Sequence, residues 1–438
     1  MRTQSLWSCA ALLAACASPA VSPDAGSAPD ASPSDAAGSP VDAGVLAPFP
    51  ILVSERSVRE HEGNLAVASD GHVLVTGTAL TRSSYDVFYR ASTDFGATWG
   101  EIGVLPRPDD SNIASNASLV ARDDGSIFVT WVSQHADAMR NRTHVRLWLA
   151  ELPPGATVIS SPTLVSIEGM TSAVDLPDLS ITSDGTFLVT YTSFDDPLAD
   201  YGIAFARSRD RVTWERGSVT ASDPAASYGF GRLCASGSRT YLVYADFEHG
   251  IFVRHSDDGG ATWPGERTTV QLPTELDFFA ALGGTCVARG DELWVLYGRV
   301  ESYAAPQPLL THVRVAHSPD RGASFDRTVE AADALGGERY LLPALAAGDD
   351  GALNLTYYAG LGDGDTAATF RRTRSIDGGR TFSPSSEVAS GLLLGTSRSS
   401  SAWPGDYTGL VELGGLVFGA FCETSLSEAH VAFFRSPL

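Results

Sequence analysis

Lysine is absent from this 438-residue chain, so every cationic side chain other than histidine is an arginine. Without lysine, Schiff-base chemistry and a phosphate-binding Gly-x-x-x-x-Gly-Lys loop are both excluded. Cations are also scarce, because 30 arginines stand against 52 Asp and Glu and leave a formal charge of -22. An acidic surface of this size argues against nucleic acid and anionic membrane surfaces as partners.

Common catalytic and metal-binding signatures are missing as well. The chain contains neither Gly-x-Ser-x-Gly nor His-Glu-x-x-His, and its Cys and His residues do not have the spacing of a zinc site. The stretch "GDGD" at 362–365 offers two carboxylates for Ca²⁺, but a plain turn is the favoured interpretation. We therefore expect no cofactor and no metal.

Cysteine is rare, and three residues remain beyond the N-terminal region: Cys234, Cys286 and Cys422. An odd number cannot pair completely in an exported protein. Cys234 and Cys286 occupy matching places in successive repeats, which makes a disulfide between them an alternative. Buried free thiols are the favoured interpretation.

The N-terminus has the features of an export signal. One early charge and an apolar run precede "LAAC", which resembles a bacterial lipoprotein box with Cys16 as the lipid acceptor. An ordinary signal peptide cleaved elsewhere is the alternative. We expect a signal peptide over 1–16, a disordered Ala/Ser/Pro/Asp linker over 17–47 and a folded domain over 48–438. These segments predict a protein lipid-anchored to the bacterial outer membrane or cell surface, with no other membrane contact.

Seven similar segments follow, roughly 50–65 residues apart. Each has a short apolar strand, a turn rich in Asp and Gly, and a strongly alternating strand, as in "ASLVARDDGSIFVTWVS" from Ala117. Alternation of period two with such turns predicts antiparallel hairpins. The spacing predicts an all-β fold, a β-propeller of four-stranded antiparallel blades. Seven blades are favoured and six are the alternative.

A third strand follows each hairpin, and in most repeats a short polar box comes next. The boxes are "STDFGATW" at Ser92, "SDDGGATW" at Ser256, "SPDRGASF" at Ser318, "SIDGGRTF" at Ser375 and a shortened "SRDRVTW" at Ser208. The seventh repeat ends with the chain at its third strand. "PILVSERS" (50–57) is the expected donor of its fourth strand, which would close the ring without an open sheet edge.

These boxes resemble the Asp-box, or bacterial neuraminidase repeat, of the sialidase-like β-propellers. In that superfamily the box joins the third and fourth strands on the outer rim, away from the active site. The resemblance therefore implies that the boxes are structural and that chemistry lies at the opposite end, near the axis. The family's Phe/Tyr-Arg-Ile-Pro motif is absent, and its nearest counterpart is "SERSVREHEGN" with Arg56 and Arg59.

Polar and aromatic residues occupy the loops expected at the axial end. They include Arg59, His61, Glu62, Asn112, Asn116, Asp175, Tyr228, Gln134, His135 and Glu423. The resemblance implies three arginines that bind a substrate carboxylate, a Tyr nucleophile activated by Glu, and an Asp acid/base. The matching candidates are Arg232, Arg299 and Arg339, Tyr340 or Tyr407, Glu248 or Glu301, and Asp178 or Asp406.

Tyr407 and Asp406 belong to "WPGDYTGL" (403–410), which is similar to a motif in the last repeat of many exported sialidase-like proteins. This motif has two alternative interpretations, a turn leading into the axial strand and a contact with a ligand. Three functions are compatible with the pattern. The first is an exo-acting glycoside hydrolase or lyase on acidic sugars, of the exo-alpha-sialidase type. The others are a non-catalytic surface module that binds a glycan, another small molecule or a protein, and an envelope scaffold.

Overall fold

The structure, a computed structural model, describes residues 51–53, 59–80, 84–137, 142–166, 173–195, 200–220, 228–246, 250–271, 277–278, 285–299, 309–333, 337–361, 366–395, 402–425 and 429–438. The predicted signal peptide, Cys16, the linker and the "GDGD" stretch lie outside these ranges. Within them the chain is all-β, as predicted, and has no helix of the length and apolarity that a membrane crossing requires.

Each sequence repeat forms one antiparallel group of strands, because alternating apolar residues joined by Asp and Gly turns favour hairpins. A short strand, β1 (Ile51–Leu52), precedes the groups. The first two groups are β2 (Arg59–Val67), β3 (Val73–Leu80), β4 (Tyr85–Ser92) and β5 (Gly103–Val104), then β6 (Ile113–Ala121), β7 (Ile127–Ala136), β8 (Arg142–Leu152) and β9 (Thr163–Leu164). The third and fourth are β10 (Ala173–Ile181), β11 (Phe187–Asp195), β12 (Asp200–Ser208) and β13 (Glu215–Ser218), then β14 (Tyr228–Ser236), β15 (Arg239–Asp246), β16 (Gly250–Ser256) and β17 (Thr268–Gln271).

The last three groups follow the same order with two variations. The fifth has its inner strand in two pieces, β18 (Asp277–Phe278) and β19 (Thr285–Arg289), followed by β20 (Glu292–Arg299), β21 (His312–Ser318) and β22 (Arg327–Glu330). The sixth is β23 (Arg339–Ala347), β24 (Leu353–Gly360), β25 (Thr366–Ser375) and β26 (Ser386–Leu394). The seventh is β27 (Gly409–Leu413), β28 (Leu416–Glu423) and β29 (His430–Pro437), with β1 as its fourth strand.

The fourth strand of the last group comes from the opposite end of the chain. β1 pairs antiparallel to β29, with Ile51 opposite Phe433 and Leu52 opposite Ala432. Val53 extends the ladder, since its amide donates to the carbonyl of Val431 at 3.1 Å. The segment "PILVSERS" therefore supplies the strand expected of it in the described residues 51–53.

The core lies between neighbouring groups rather than within any one of them. One apolar cluster joins the third and fourth groups and includes Leu188, Leu242 and Trp263. Another joins the first group to the seventh, where Phe88 packs with Phe418. Each sheet thus buries both faces against its neighbours, which explains why its central strands are apolar on both sides.

The boxes form turns with one repeated hydrogen-bond pattern. In the box of the fourth group, the Ser256 hydroxyl donates to Asp258 Oδ1 at 2.7 Å and accepts from the Gly260 amide at 2.8 Å. The Thr262 amide and hydroxyl donate to the same carboxylate at 2.9 and 2.6 Å. The turns at Ser92, Ser318 and Ser375 repeat this pattern. The box side chains are therefore occupied in holding the turn, in agreement with a structural role.

Acid should weaken these turns, and Asp258 is the position at which to measure the effect. Burial raises the pKa of this carboxyl, but the hydrogen bonds from Thr262 and Ser256 outweigh it and lower the pKa to about 2. The stabilisation is therefore complete above about pH 4, where an unfolded Asp is ionised, and is lost as the pH falls towards about 2. We expect Asp258→Asn to cost about 1 kcal/mol near neutral pH and to flatten the acid limb of the melting-temperature profile. The exposed Glu266→Gln variant is the control, and an unchanged acid limb in Asp258→Asn would contradict the assignment.

The pairing of the cysteines differs from the favoured interpretation, which was that they are buried free thiols. Cys234 on β14 and Cys286 on β19 form a disulfide, with Cα atoms 5.7 Å apart. The two residues sit at matching places on adjacent inner strands, a proximity that exists only once neighbouring groups are packed side by side. Cys422 remains a buried free thiol, and burial raises its pKa to about 12.

Candidate functional site

Bulges interrupt the inner strands near the end at which these strands begin. Pairing shifts between His61 and Asn64, between Ser115 and Ser118, and at the corresponding points of β10, β14 and β23. In four of them a non-glycine residue adopts a positive φ: Glu62, Asn116, Leu176 and Leu342, at 63°, 59°, 49° and 47°. Such conformations are unfavourable for these residues and are typical of positions where a side chain is redirected next to a site.

Tyr407 lies where several of these bulges meet. Its ring is buried, and its hydroxyl donates to Asn116 Oδ1 over a long 3.4 Å. The guanidinium carbon of Arg232 is 5.5 Å from the centre of the same ring. Burial raises the pKa of the Tyr407 phenol well above its ordinary value, and the charge of Glu62 raises it further. Arg232 opposes this shift, while the carboxylates of Asp406 and Asp175 add to it.

Glu62 is held on both sides of its carboxylate. Oε2 accepts a hydrogen bond from the Thr78 hydroxyl at 2.7 Å, and Oε1 is 3.6 Å from Nδ1 of His61. Its amide donates to the carbonyl of Pro404 at 3.1 Å, which ties the bulge to the segment that carries Tyr407. The Glu62 carboxylate is therefore held in one orientation, near enough to Tyr407 for its charge to raise the pKa of the phenol.

Asp178 pairs with Arg232, whose Nη1 is 3.6 Å from Oδ1. Burial raises the pKa of Asp178, and the charge of Arg232 only partly opposes the effect. Both carboxylate oxygens already accept hydrogen bonds, from the Ser118 hydroxyl at 3.0 Å and from the Leu233 amide at 2.7 Å. The carboxyl thus joins three inner strands and lies next to Arg232.

Asn116 links this pair to the rest of the cluster. Its amide nitrogen donates to Asp175 Oδ1, while its oxygen faces Tyr407. Asp175 Oδ2 is 3.4 Å from Nη1 of Arg142, a cation that the sequence did not suggest for the site. These contacts join the second, third and seventh groups. We refer to Glu62, Asn116, Asp175, Asp178, Arg232, Asp406 and Tyr407 as the Tyr407 cluster.

The other predicted residues are placed as follows. Tyr340 packs in the core with its ring 5.5 Å from that of Tyr357, and its hydroxyl donates to the carbonyl of Asp333. Burial raises its pKa to about 12. Both candidate tyrosines have carboxylates and an arginine near them, but the Tyr340 hydroxyl is bound to a main-chain carbonyl, whereas the Tyr407 hydroxyl faces Asn116. Glu248 and Glu301 lie outside the described residues.

Arg299 and Arg339 lie on the fifth and sixth groups. Arg299 ends β20 opposite His312, and Arg339 begins β23 opposite Gly360. Nη1 of Arg339 donates to the carbonyls of Gly337 and Glu338. The neighbouring carboxylate of Glu338 instead forms a two-bond pair with Arg371, at 2.9 and 2.8 Å. Of the three arginines, Arg232 is the one observed against the Tyr407 ring in the described residues.

The motif "WPGDYTGL" packs closely on the first group. A Cβ at Gly409 would lie 2.7 Å from the Leu65 amide nitrogen. Trp403 packs against the His61 ring with 4.7 Å between centroids. The turn brings Tyr407 into the cluster, and a ligand contact by this motif stays a prediction.

Sequence reasoning identified Glu62 and Asn116 as axial residues but did not assign them to the chemistry. No pattern in the sequence predicts that either has a positive φ, except that Glu62 precedes a glycine in "EHEGN". Arg142 was missed because it is far in the sequence from Asp175, its partner in the structure. Among the described residues, no group of three His, Cys, Asp or Glu side chains could hold a metal ion.

No protein-family model matches the chain, and no curated protein is detectably similar to it. Solved structures are similar in fold. A Hadza microbial sialidase, Hz136, aligns with a TM-score of 0.50 and 14% identity over 87% of this chain and 66% of that chain. The phage phi92 endosialidase aligns with a TM-score of 0.51 and 11% identity over 89% of this chain and 69% of that chain. The chain has the sialidase-like β-propeller fold.

A third similar structure is an ulvan lyase of polysaccharide lyase family PL25. It aligns with a TM-score of 0.55 and 11% identity over 87% of this chain and 94% of that chain. This chain thus spans about two thirds of the sialidase and nearly all of the lyase. At such low identities the similarity establishes the fold and leaves the activity to the residues of the site.

Proposed function

We propose that the protein is an exo-acting glycoside hydrolase of the exo-alpha-sialidase type, which binds an acidic sugar at the Tyr407 cluster. The observation that carries the proposal is a buried tyrosine between carboxylates and an arginine. The Tyr407 phenol has Glu62, Asp406 and Asp175 close enough to raise its pKa, and the Arg232 guanidinium lies 5.5 Å from its ring. Sialidase-like neighbours in fold agree with carbohydrate as the ligand class.

In this proposal the propeller has seven blades and closes through β1. The pairing of β1 with β29 and the apolar cluster between the first and seventh groups support closure. Closure brings the bulges of successive inner strands together around one axis. The Tyr407 cluster then occupies the axial end, opposite the box turns.

The reaction follows from the positions of the acidic groups. The Tyr407 oxygen bonds to the anomeric carbon as the bond to the leaving oxygen breaks, and the phenol proton passes to Glu62. Asp406, next to Tyr407 in the chain, protonates the leaving oxygen. Water then attacks the anomeric carbon and gives a proton to Asp406. The Tyr407 oxygen leaves and recovers its proton from Glu62.

Arg232 supplies the positive charge for the acidic group of the sugar. A guanidinium suits a carboxylate because the two planar groups form paired hydrogen bonds. The Asp178 carboxylate lies on one side of Arg232, with Oδ1 3.6 Å from Nη1, and the Tyr407 ring lies on another side of the guanidinium. Arg299 and Arg339 complete the recognition in the proposal, from the same end of the fifth and sixth groups.

We further propose that the domain is exported and held to the outer membrane or cell surface by a lipid on Cys16. The apolar run before "LAAC" and the Ala/Ser/Pro/Asp linker support this location. A Cys16→Ser variant should lose its membrane association. Membrane fractions in which that variant is retained would refute the anchor.

Purified protein assayed with a panel of fluorogenic glycosides, including a sialoside, tests the activity. We expect turnover of an acidic glycoside, and a loss of at least about 100-fold in kcat/KM for Tyr407→Phe and for Arg232→Ala. Tyr241→Phe is the matched control, because Tyr241 is a buried tyrosine on β15 outside the cluster. Equal losses in Tyr407→Phe and Tyr241→Phe, or no turnover of any glycoside, would reject the proposal.

A further inference from the structure

His61 is buried next to the Tyr407 cluster with hydrogen-bonding capacity that the described chain leaves unused. Its side chain is 3% exposed, and neither ring nitrogen has a hydrogen-bond partner among the described residues. Leaving such a group unsatisfied costs about 1–3 kcal/mol, so a native structure that keeps it needs a reason. Its nearest acidic group is Oε1 of Glu62, 3.6 Å from Nδ1.

We propose that His61 is a positioning residue that acts through Glu62, as the third member of a chain from Tyr407 to Glu62 to His61. The inference rests on the proposed function, in which Glu62 accepts the phenol proton. His61 holds the Glu62 carboxylate, whose Oε1 lies 3.6 Å from Nδ1, in the orientation in which it accepts the phenol proton. His61 itself takes no proton from the substrate.

The surroundings of His61 hold the imidazole in place. Its ring packs 4.7 Å from that of Trp403 and 6.2 Å from that of Tyr85. The Thr78 hydroxyl binds the far oxygen of Glu62, so His61 and Thr78 hold the carboxylate from its two ends. A base oriented by a third group is the arrangement that activates weak nucleophiles in many hydrolases.

Other charged groups near His61 are accounted for. Arg59, also on β2, lies over the Trp403 ring, with 5.9 Å from its guanidinium carbon to the ring centre. Glu60 is 3.6 Å from His430 of β29, and both are buried. Glu62 is the acidic group paired with His61.

The first test measures the coupling directly by NMR, on the full chain with isotope-labelled histidine and tyrosine. The His61→Gln variant assigns the His61 signal. In Glu62→Gln we expect the His61 ring signals to shift, because the imidazole loses the carboxylate oxygen 3.6 Å from its Nδ1. The Tyr407 ring signal should shift in His61→Gln, and this effect should disappear when Glu62→Gln is already present. Unchanged His61 signals in Glu62→Gln, or a Tyr407 signal insensitive to His61→Gln, overturn the inference.

The second test separates kcat from KM. Without the imidazole, Glu62 is less firmly held, so kcat in His61→Gln should fall at least about tenfold, with KM changed less than about twofold. His72→Gln is the matched control: His72 is also buried in the first group but at its opposite end, where Nδ1 accepts from the Gly155 amide. Its kcat should change less than about twofold. A kcat of His61→Gln as high as that of His72→Gln, or a rise in KM as large as the fall in kcat, would overturn the inference.

The two proposals fail in different ways. If no glycoside is turned over, the hydrolase proposal fails, and the NMR signals alone decide whether the chain from Tyr407 to His61 exists. If a glycoside is turned over and kcat of His61→Gln equals that of His72→Gln, the hydrolase proposal stands and the role of His61 is rejected.

Discussion

Gly405→Ala should destabilise the protein by about 2–5 kcal/mol and remove the function of the Tyr407 cluster. Gly405 has a φ of +103°, and a Cβ there would lie 2.5 Å from the amide nitrogen of Glu62 and 2.9 Å from its Cα. These are backbone atoms, so no side-chain rotation relieves the clash. Separation of the two segments would also break the bond from the Glu62 amide to the Pro404 carbonyl.

The control for this prediction is Gly265→Ala. Gly265 has a φ of +81°, but nothing lies within 4 Å of its added Cβ. Gly265→Ala should be destabilised only by the cost of the left-handed conformation, about 1–2 kcal/mol. Denaturant midpoints of the two variants separate the clash from the backbone strain. If Gly405→Ala is no less stable than Gly265→Ala, the close approach of this turn to Glu62 is refuted.

Removal of the disulfide should cost about 2–4 kcal/mol. The bond joins Cys234 to Cys286, 52 residues apart in sequence, and a cross-link over that distance restricts the unfolded chain considerably. It also ties the inner strands of the fourth and fifth groups, next to the split strand β18–β19. We expect the double variant Cys234→Ser with Cys286→Ser to unfold at a lower denaturant concentration.

Reduction provides the matched control. A reducing agent should lower the stability of the natural protein to that of the double variant and leave the double variant unchanged. Thiol labelling in denaturant, mapped by mass spectrometry, should mark Cys422 and not Cys234 or Cys286. Labelling of all three residues without reductant would contradict the disulfide.

Much of the local structure was predictable, because it depends on residues close together in the chain. Alternation in segments such as "ASLVARDDGSIFVTWVS" predicted hairpins, and these formed as β6 and β7. The role of Asp258 was predictable because its partners, Ser256 and Thr262, lie within four residues of it. The fourth strand of the last group was predictable by elimination, since only "PILVSERS" remained to supply it.

The membership of the candidate site was only partly predictable. The sequence suggested Arg232, Tyr407 and Asp178, and the structure brings these together. It suggested Tyr340 equally with Tyr407, although Tyr340 proves to be a core residue with its hydroxyl on a main-chain carbonyl. It did not connect Glu62 with Tyr407, which is 345 positions later in the printed numbering.

The sequence by itself determined the repeated strand groups and their box turns, because each hairpin and each turn is stabilised by contacts between near neighbours. Only the tertiary structure decided the disulfide, the redirected side chains of Glu62 and Asn116, and the acidic surroundings of Tyr407. These features depend on the packing of one inner strand against the next and on bulges whose backbone angles no residue pattern records. Side chains from the two ends of the chain meet there because the last group is completed by the first strand.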